Sequence, residues 1–465
     1  MNPDNTHHVA KIRHAGTPLA PEPSRNPLPA APGPRRRRRL SSPVLPVAAL
    51  MLAASLASLP AQPVISSNTS SSGITVNHTT GGTLTISATV ISMSNYALQI
   101  ATNSAMVINT TGGRIESGVT TAGLSAVNFN TSGTLLNAGV IFATADGFNV
   151  DGVIARQLIT GSNSGLIRGV RYGMQFANGA AGSVFTNSGT ITGNTAGILS
   201  YGKLTGTNTG LIEGGGQYGL YLNNLVADGS DITNSGTIRA STAAPGQGFT
   251  AAAGTVVTVT NSSSGLIEGN RFGILFYGGG TITNHGVISG TTDNTGQGIR
   301  ASSTTAIKNT GLVQGGQYGI YFNTGTAAGS TVVNTGTIRS VTHASGRGIT
   351  ASADAAITVT NSTSGLIAGN GHGVYLDTGG GTFFNAGAIT AAATNGVGLL
   401  SAGKLTGTNT GLIQGNGSHG INLSATTAAG STITNSGTIR SASATGYGIQ
   451  AYPSNIALTP IALTN

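Results

Sequence analysis

The chain has no cysteine and no tryptophan, and only 7% of its 465 residues are charged, against about 25% in an ordinary globular domain. Without cysteine, a disulfide framework, a thiol nucleophile and a thiolate-held metal are all excluded. Proline is confined: 8 of the 15 lie in residues 1–34, and between residues 64 and 452 the only one is Pro245. That long proline-poor stretch suits backbone ladders in which every N–H is used. Apolar runs of the ~18 residues a spanning helix needs are missing, apart from one N-terminal segment. Helices in general are disfavoured, because no apolar pattern of 3.6-residue period survives among the 73 glycines. Disorder is a poor account, since Ile, Val and Thr recur at a regular beat.

The formal charge of +9 is concentrated at one end. Eight of the 21 basic residues (Lys11, Arg13, Arg25 and Arg35 to Arg39) precede residue 40, with Asp4 and Glu22. Residues 62–465 keep 13 basic and 10 acidic side chains, a net of +3. The 13 are scattered singly, so no phosphate-tracking stripe forms and no nucleic-acid partner is expected.

Arg35 to Arg39 are followed by Leu40 and the apolar run Val44 to Leu59, with small residues at Ala57 and Ala61. A basic region, an apolar region and small residues predict a signal peptide over 35–61, cleaved after Ala57 or Ala61. An uncleaved anchor is the alternative, but Pro43 and Pro46 shorten the helical part too far to span. Residues 1–34 read as an unstructured leader.

What the chain does have is a repeat. Asn-x-Gly-x-Ile/Val recurs at Asn137, Asn163, Asn187, Asn208, Asn234, Asn284, Asn309, Asn334, Asn385, Asn409 and Asn435. Asn261 and Asn361 carry it with a two-residue insertion, and Asn109 is a looser first copy. From Asn137 to Asn435 there are twelve steps over 298 residues, a mean near 25. A Gly-apolar unit, as at Gly219-Leu220 and Gly319-Ile320, falls between successive asparagines, and a third apolar position precedes each one. Three short alternating runs per period, separated by Gly and Asn corners, are three half-buried strands. A single coil cannot bury its apolar face, but stacked coils share a core. The expected fold is an all-β right-handed parallel β-helix of about 14 coils, on the order of 65 Å long at ~4.8 Å per coil. Residues 62–108 are expected to be a cap with the first irregular coils, 109–452 the repeats and 453–465 an irregular end. Asn at the same corner of every coil predicts a stacked amide ladder with a structural role. A longer rhythm is visible as well: Gly202 to Ile212 recurs almost unchanged at Gly403 to Ile413, with Asn309-Thr-Gly-Leu-Val313 at the midpoint, a four-coil superperiod near 100 residues.

No catalytic residue, metal ligand or cofactor is expected. Polysaccharide-cleaving β-helices need clustered carboxylates, whereas here only Asp228 and Asp231 are close, with no comparable pair nearby. His285, His343, His372 and His419 stand alone. An ice-binding threonine ladder is interrupted at Ala306 and Lys308. One surface feature suggests binding. Tyr172, Tyr218, Phe272, Tyr318 and His372 precede the strand glycine in alternate coils, and Tyr221, Tyr321 and Tyr375 follow in a second column. Aromatics spaced by two coils, ~9.6 Å, can stack on sugar rings or anchor a protein. The competing explanation is that they cover apolar corners or repeat through duplication.

An Arg-rich export leader, the absence of cysteine, and units such as Asn187-Ser-Gly-Thr-Ile191 and Asn208-Thr-Gly-Leu-Ile212 together resemble autotransporter passenger repeats over residues 62–452. That resemblance implies export from a Gram-negative bacterium through an outer-membrane translocator barrel, display at the cell surface, and adhesion, aggregation or biofilm contacts with surface glycans or proteins. The chain departs from the family in lacking the alternating segments of a barrel after Tyr452-Pro453, so a chain cut short before its barrel is expected. The rival expectation is a secreted polysaccharide-active β-helix enzyme.

Overall fold

The computed structural model describes residues 64–65, 69–71 and 76–464, except 80, 94, 119–123, 145–149, 224, 242–244, 291–293 and 452–461. The leader and signal-peptide segments lie outside the described residues.

One coil shows how the sequence is used. Gly280–Asn284, Val287–Gly290 and Gln297–Ala301 are its three strands. Alternation turns Ile282 and Ile288 inward, and Ile299 and Ala301 join them, all at most 1% exposed. Thr281 and Thr283 face outward. Each strand pairs in parallel with its equivalents in the coils before and after. The result is an all-β parallel solenoid of about 14 coils of roughly 25 residues, its strands forming three sheets of 17, 16 and 16 members. One continuous apolar core runs from Leu84 to Ile433.

The sheets reach further than the repeat motif. Thr83–Ile86, Thr89–Ser92 and Leu98–Ile100 already form a regular coil, with Ile86 in the place taken by Asn109 in the next. From Thr83 onward the described residues are thus in regular coils. At the other end Ala462–Thr464 adds a strand to the first sheet, paired with Thr432–Asn435; the rest of 453–465 lies outside the described residues.

Core packing follows a two-coil rhythm that the superperiod only hints at. The last inward position of the third sheet reads Phe176, Ser200, Leu222, Ala251, Phe276, Ala301, Phe322, Ala351, Leu376, Ser401, Leu423. Each large side chain fills the space above and below its small neighbours, which is how a stack of equal pitch reaches crystal-like density. From residue 218 onward the large-residue coils cross from second to third sheet in two or three residues, the small-residue coils in five or six. Pro245 sits in one of those longer corners, exposed, where it interrupts no ladder.

The asparagine corner is a ladder, as the repeat predicts. Fourteen asparagines from Asn109 to Asn435 form it, and each Nδ2 donates to Oδ1 of the next at 2.6–2.9 Å. Nδ2 also reaches two carbonyls, such as Gly286 O and Leu312 O from Asn284. The inserted copies make the same bond through a longer turn, Asn261 Nδ2 donating to Gly265 O at 3.0 Å. Donation always runs toward the C-terminus, so the first rung, Asn109, has a buried Oδ1 without a donor.

Candidate binding face

The third sheet carries the aromatic residues, and the register aligns them. The first column runs Asp151, Tyr172, Ala196, Tyr218, Gln247, Phe272, Gln297, Tyr318, Arg347, His372 and Val397, of which Asp151, Ala196, Phe272, Gln297 and Val397 are buried. The second runs through Tyr221, Thr250, Leu275, Arg300, Tyr321, Thr350 and Tyr375. All eight predicted residues therefore share one face, and they occupy the coils with large inward side chains. Within a coil the two columns touch. Tyr218 and Tyr221 stack with centroids 4.3 Å apart, His372 and Tyr375 at 5.8 Å, and Tyr318 meets Tyr321 at 4.8 Å. Seven of the eight are half-buried; Phe272, 4% exposed, is not presented to solvent. The guanidinium carbons of Arg271 and Arg300 lie 5.1 and 5.6 Å from its centroid and cover it.

Arginine is the part that sequence reading missed. Arg300 also lies 5.8 Å from Tyr321, and Arg347 lies 3.8 Å from Tyr375 and 5.9 Å from Tyr318. The partners are more than twenty residues apart in sequence, so only the strand register reveals them. Among the described residues three ion pairs form, Arg114–Glu116, Arg171–Asp151 and Arg239–Glu213, and none engages Arg271, Arg300 or Arg347. Seven buried side-chain polar atoms lack a partner among the described residues, and five are on this face: Gln297 Oε1, Arg347 Nε, Thr350 Oγ1, His372 Nδ1 and Asn422 Oδ1. Interiors rarely leave such groups unpaired.

Burial raises the phenol pKa of Tyr172, Tyr218, Tyr318 and Tyr375 and pushes Tyr221 up to about 12, so these hydroxyls stay protonated. At the head of the first column Asp151 is fully buried and gripped by Arg171 through Nε at 3.0 Å and NH2 at 2.8 Å. Burial nevertheless pushes its carboxyl up to about 6, outweighing Arg171. His372 is pushed down to about 4, first by burial and then by Arg347. No three His, Cys, Asp or Glu side chains among the described residues converge as metal ligands.

These two groups oppose each other in pH-dependence. Asp151 takes up a proton on folding between its unfolded pKa of about 4 and about 6, so its contribution falls as pH rises through that window. His372 releases a proton on folding between about 4 and its unfolded value of about 6.5, so its contribution grows with pH. Each is worth about 3 kcal/mol across its window. His372→Gln should therefore make stability fall from pH 4 to 6, and Asp151→Asn should make it rise, read from urea midpoints at each pH. Slopes of the same sign in both variants would contradict this assignment.

No helix among the described residues is long and apolar enough to cross a membrane. No family model matches the chain, and neither a curated protein nor a solved structure is significantly similar to it.

Proposed function

We propose that the chain is an exported passenger of autotransporter type, a rigid stalk on the surface of a Gram-negative cell that makes adhesive or aggregative contacts through the aromatic face of its third sheet. The observation that carries this reading is the repeated outward pair, Tyr218 with Tyr221, Tyr318 with Tyr321 and His372 with Tyr375, on one uninterrupted stack. Repetition along a rod is what multivalent attachment needs, because weak contacts add in avidity. The basic and apolar N-terminal segment and the cysteine-free chain support export through a barrel supplied by a translocator. Polysaccharide cleavage draws no support from the site: the most buried carboxylate, Asp151, is held by Arg171 on its own face.

Display tests this reading. The full chain, fused ahead of an outer-membrane translocator barrel, should be protease-accessible on intact cells and raise their settling or surface retention above that of the barrel alone. Alanine at Tyr218, Tyr221, Tyr318, Tyr321 and Tyr375 should return retention to the barrel level at equal display. Displayed chain with no gain in retention would refute the adhesive role.

A further inference from the structure

We propose that the stretch of this face from Phe272 to Tyr375 binds a linear carboxylated polysaccharide, one bearing charge on every second sugar, laid along the stack of coils. The proposal rests on the adhesive reading and names its ligand class.

Charge gives the first argument. Between Gln247 and Val397 in one column, and Thr250 and Leu400 in the other, no residue is acidic, while Arg300 and Arg347 project within the columns and Arg271 flanks Phe272. Among the described residues no carboxylate forms an ion pair with any of the three. Each guanidinium instead lies against a ring, at 5.1 Å for Arg271 and 3.8 Å for Arg347 at the closest. Ring contact of this kind holds the planar group while leaving N–H donors for a carboxylate, which it matches in a bidentate fork.

Unmet hydrogen bonding gives the second. Gln297 Oε1, Arg347 Nε, Thr350 Oγ1 and His372 Nδ1 are buried and without partners, and all four lie in this stretch. Shielded as they are from solvent, these atoms reach a ligand only when the side chains over them turn aside. A ligand rich in hydroxyls would then pair them, whereas an apolar one would not. The neighbouring tyrosine rings offer apolar faces to the C–H side of a sugar.

Spacing gives the third. Rings stand in the coils of Tyr318 and His372, and the cations within the columns, Arg300 and Arg347, in the coils between, while Arg271 stands beside Phe272 in a ring coil. The rings and the column cations thus each recur every second coil, ~9.6 Å along the stack. That is close to the length of one disaccharide in an extended chain, and it selects a polymer alternating charged and neutral sugars. A nucleic acid carries a charge on every residue and would call for denser cations than these.

Hyaluronan, which alternates a uronate with a neutral amino sugar, is the probe, with dextran as the neutral comparison and single-stranded DNA as the competing polyanion. The purified full chain should be retarded by hyaluronan in affinity electrophoresis, less so as salt rises, and bind dextran at least tenfold more weakly. Arg300→Gln with Arg347→Gln should lower hyaluronan affinity at least tenfold with an unchanged circular dichroism spectrum. Arg440→Gln, on the second sheet, should leave it unaltered. Because the chain has no tryptophan, quenching of tyrosine emission on titrating the unmodified protein gives the same answer without a variant. Absence of hyaluronan binding, equal binding of dextran, tighter binding of DNA, or affinity untouched by the double substitution would each overturn the proposal. Cells that still adhere in the display experiment while the purified chain ignores hyaluronan would leave the adhesive role standing and remove only this ligand.

Discussion

Asn284→Asp should destabilise the solenoid at pH 7 by about 4 kcal/mol, the cost of leaving a buried charge uncompensated, and most of that loss should be recovered near pH 4. Asn284 is fully buried. Its Oδ1 accepts from Asn261 at 2.8 Å, while its Nδ2 donates to Asn309 Oδ1, Gly286 O and Leu312 O. Aspartate has the same shape, so the acceptor half of the rung survives. The other half would set an ionised oxygen against three acceptors with no proton between them. Protonation restores one donor, so the folded pKa of the new carboxyl lies well above the unfolded value of about 4. The penalty is therefore absent below that value and grows as pH rises toward the folded pKa. Denaturant midpoints at pH 4 and 7 read it directly. The same change at Asn435, the half-buried last rung, should cost less. Equal midpoints for Asn284→Asp and the unaltered chain at pH 7 would mean the amides carry no structural load.

Gly319→Ala should cost about 3 kcal/mol, the upper part of the range for overpacking, although it adds a single methyl group. The glycine at the second position of the third-sheet strands from Asp151–Ala155 to His419–Leu423 stands close to the next coil: a Cβ on Gly319 would lie 2.6 Å from Gly348 O and 3.0 Å from Arg339 N. Both are backbone atoms in ladders, and neither moves without parting two coils. Gly206→Ala is the matched comparison. There the nearest atom is the flexible tip of Ile232, at 2.9 Å, and the next lies at 3.9 Å. Room is available because Gly206 lines a small core cavity of about 10 Å³ with Phe185, Leu204 and Ile232. Thermal unfolding should leave Gly206→Ala near the unaltered chain and lower Gly319→Ala by several degrees. If the two shift together, glycine at this strand position is a matter of backbone freedom and not of closeness.

Much of the frame could be read from residue order because it is written at fixed intervals. The Asn corner, the three apolar beats and even the insertions after Asn261 and Asn361 are local patterns, and the structure places them as read. The first coils read as irregular because Ile86 replaces the Asn that marks the repeat, although Thr83-Leu-Thr-Ile86 has the same alternation as Thr281-Ile-Thr-Asn284. What could not be read depends on which residues meet across coils of unequal length. The grip of Arg171 on Asp151, the covering of Phe272 by Arg271 and Arg300, and the seat of Arg347 on Tyr375 all need the register first. The alternation of Phe276, Ala301 and Phe322 was present in the sequence, but it becomes a packing pattern only once those positions are known to face one another.

The unequal corners carry a consequence of their own. Ala196 and Tyr218 are paired neighbours 22 residues apart, and Tyr218 and Gln247 are paired neighbours 29 apart, yet the sheets run through both without a slip. Chain length is thus decoupled from strand alignment: a corner absorbs extra residues, and the next strand still finds its place. Such a scaffold can gain or lose corner residues by mutation, and so remodel its exterior over generations, while every inward side chain keeps its neighbours.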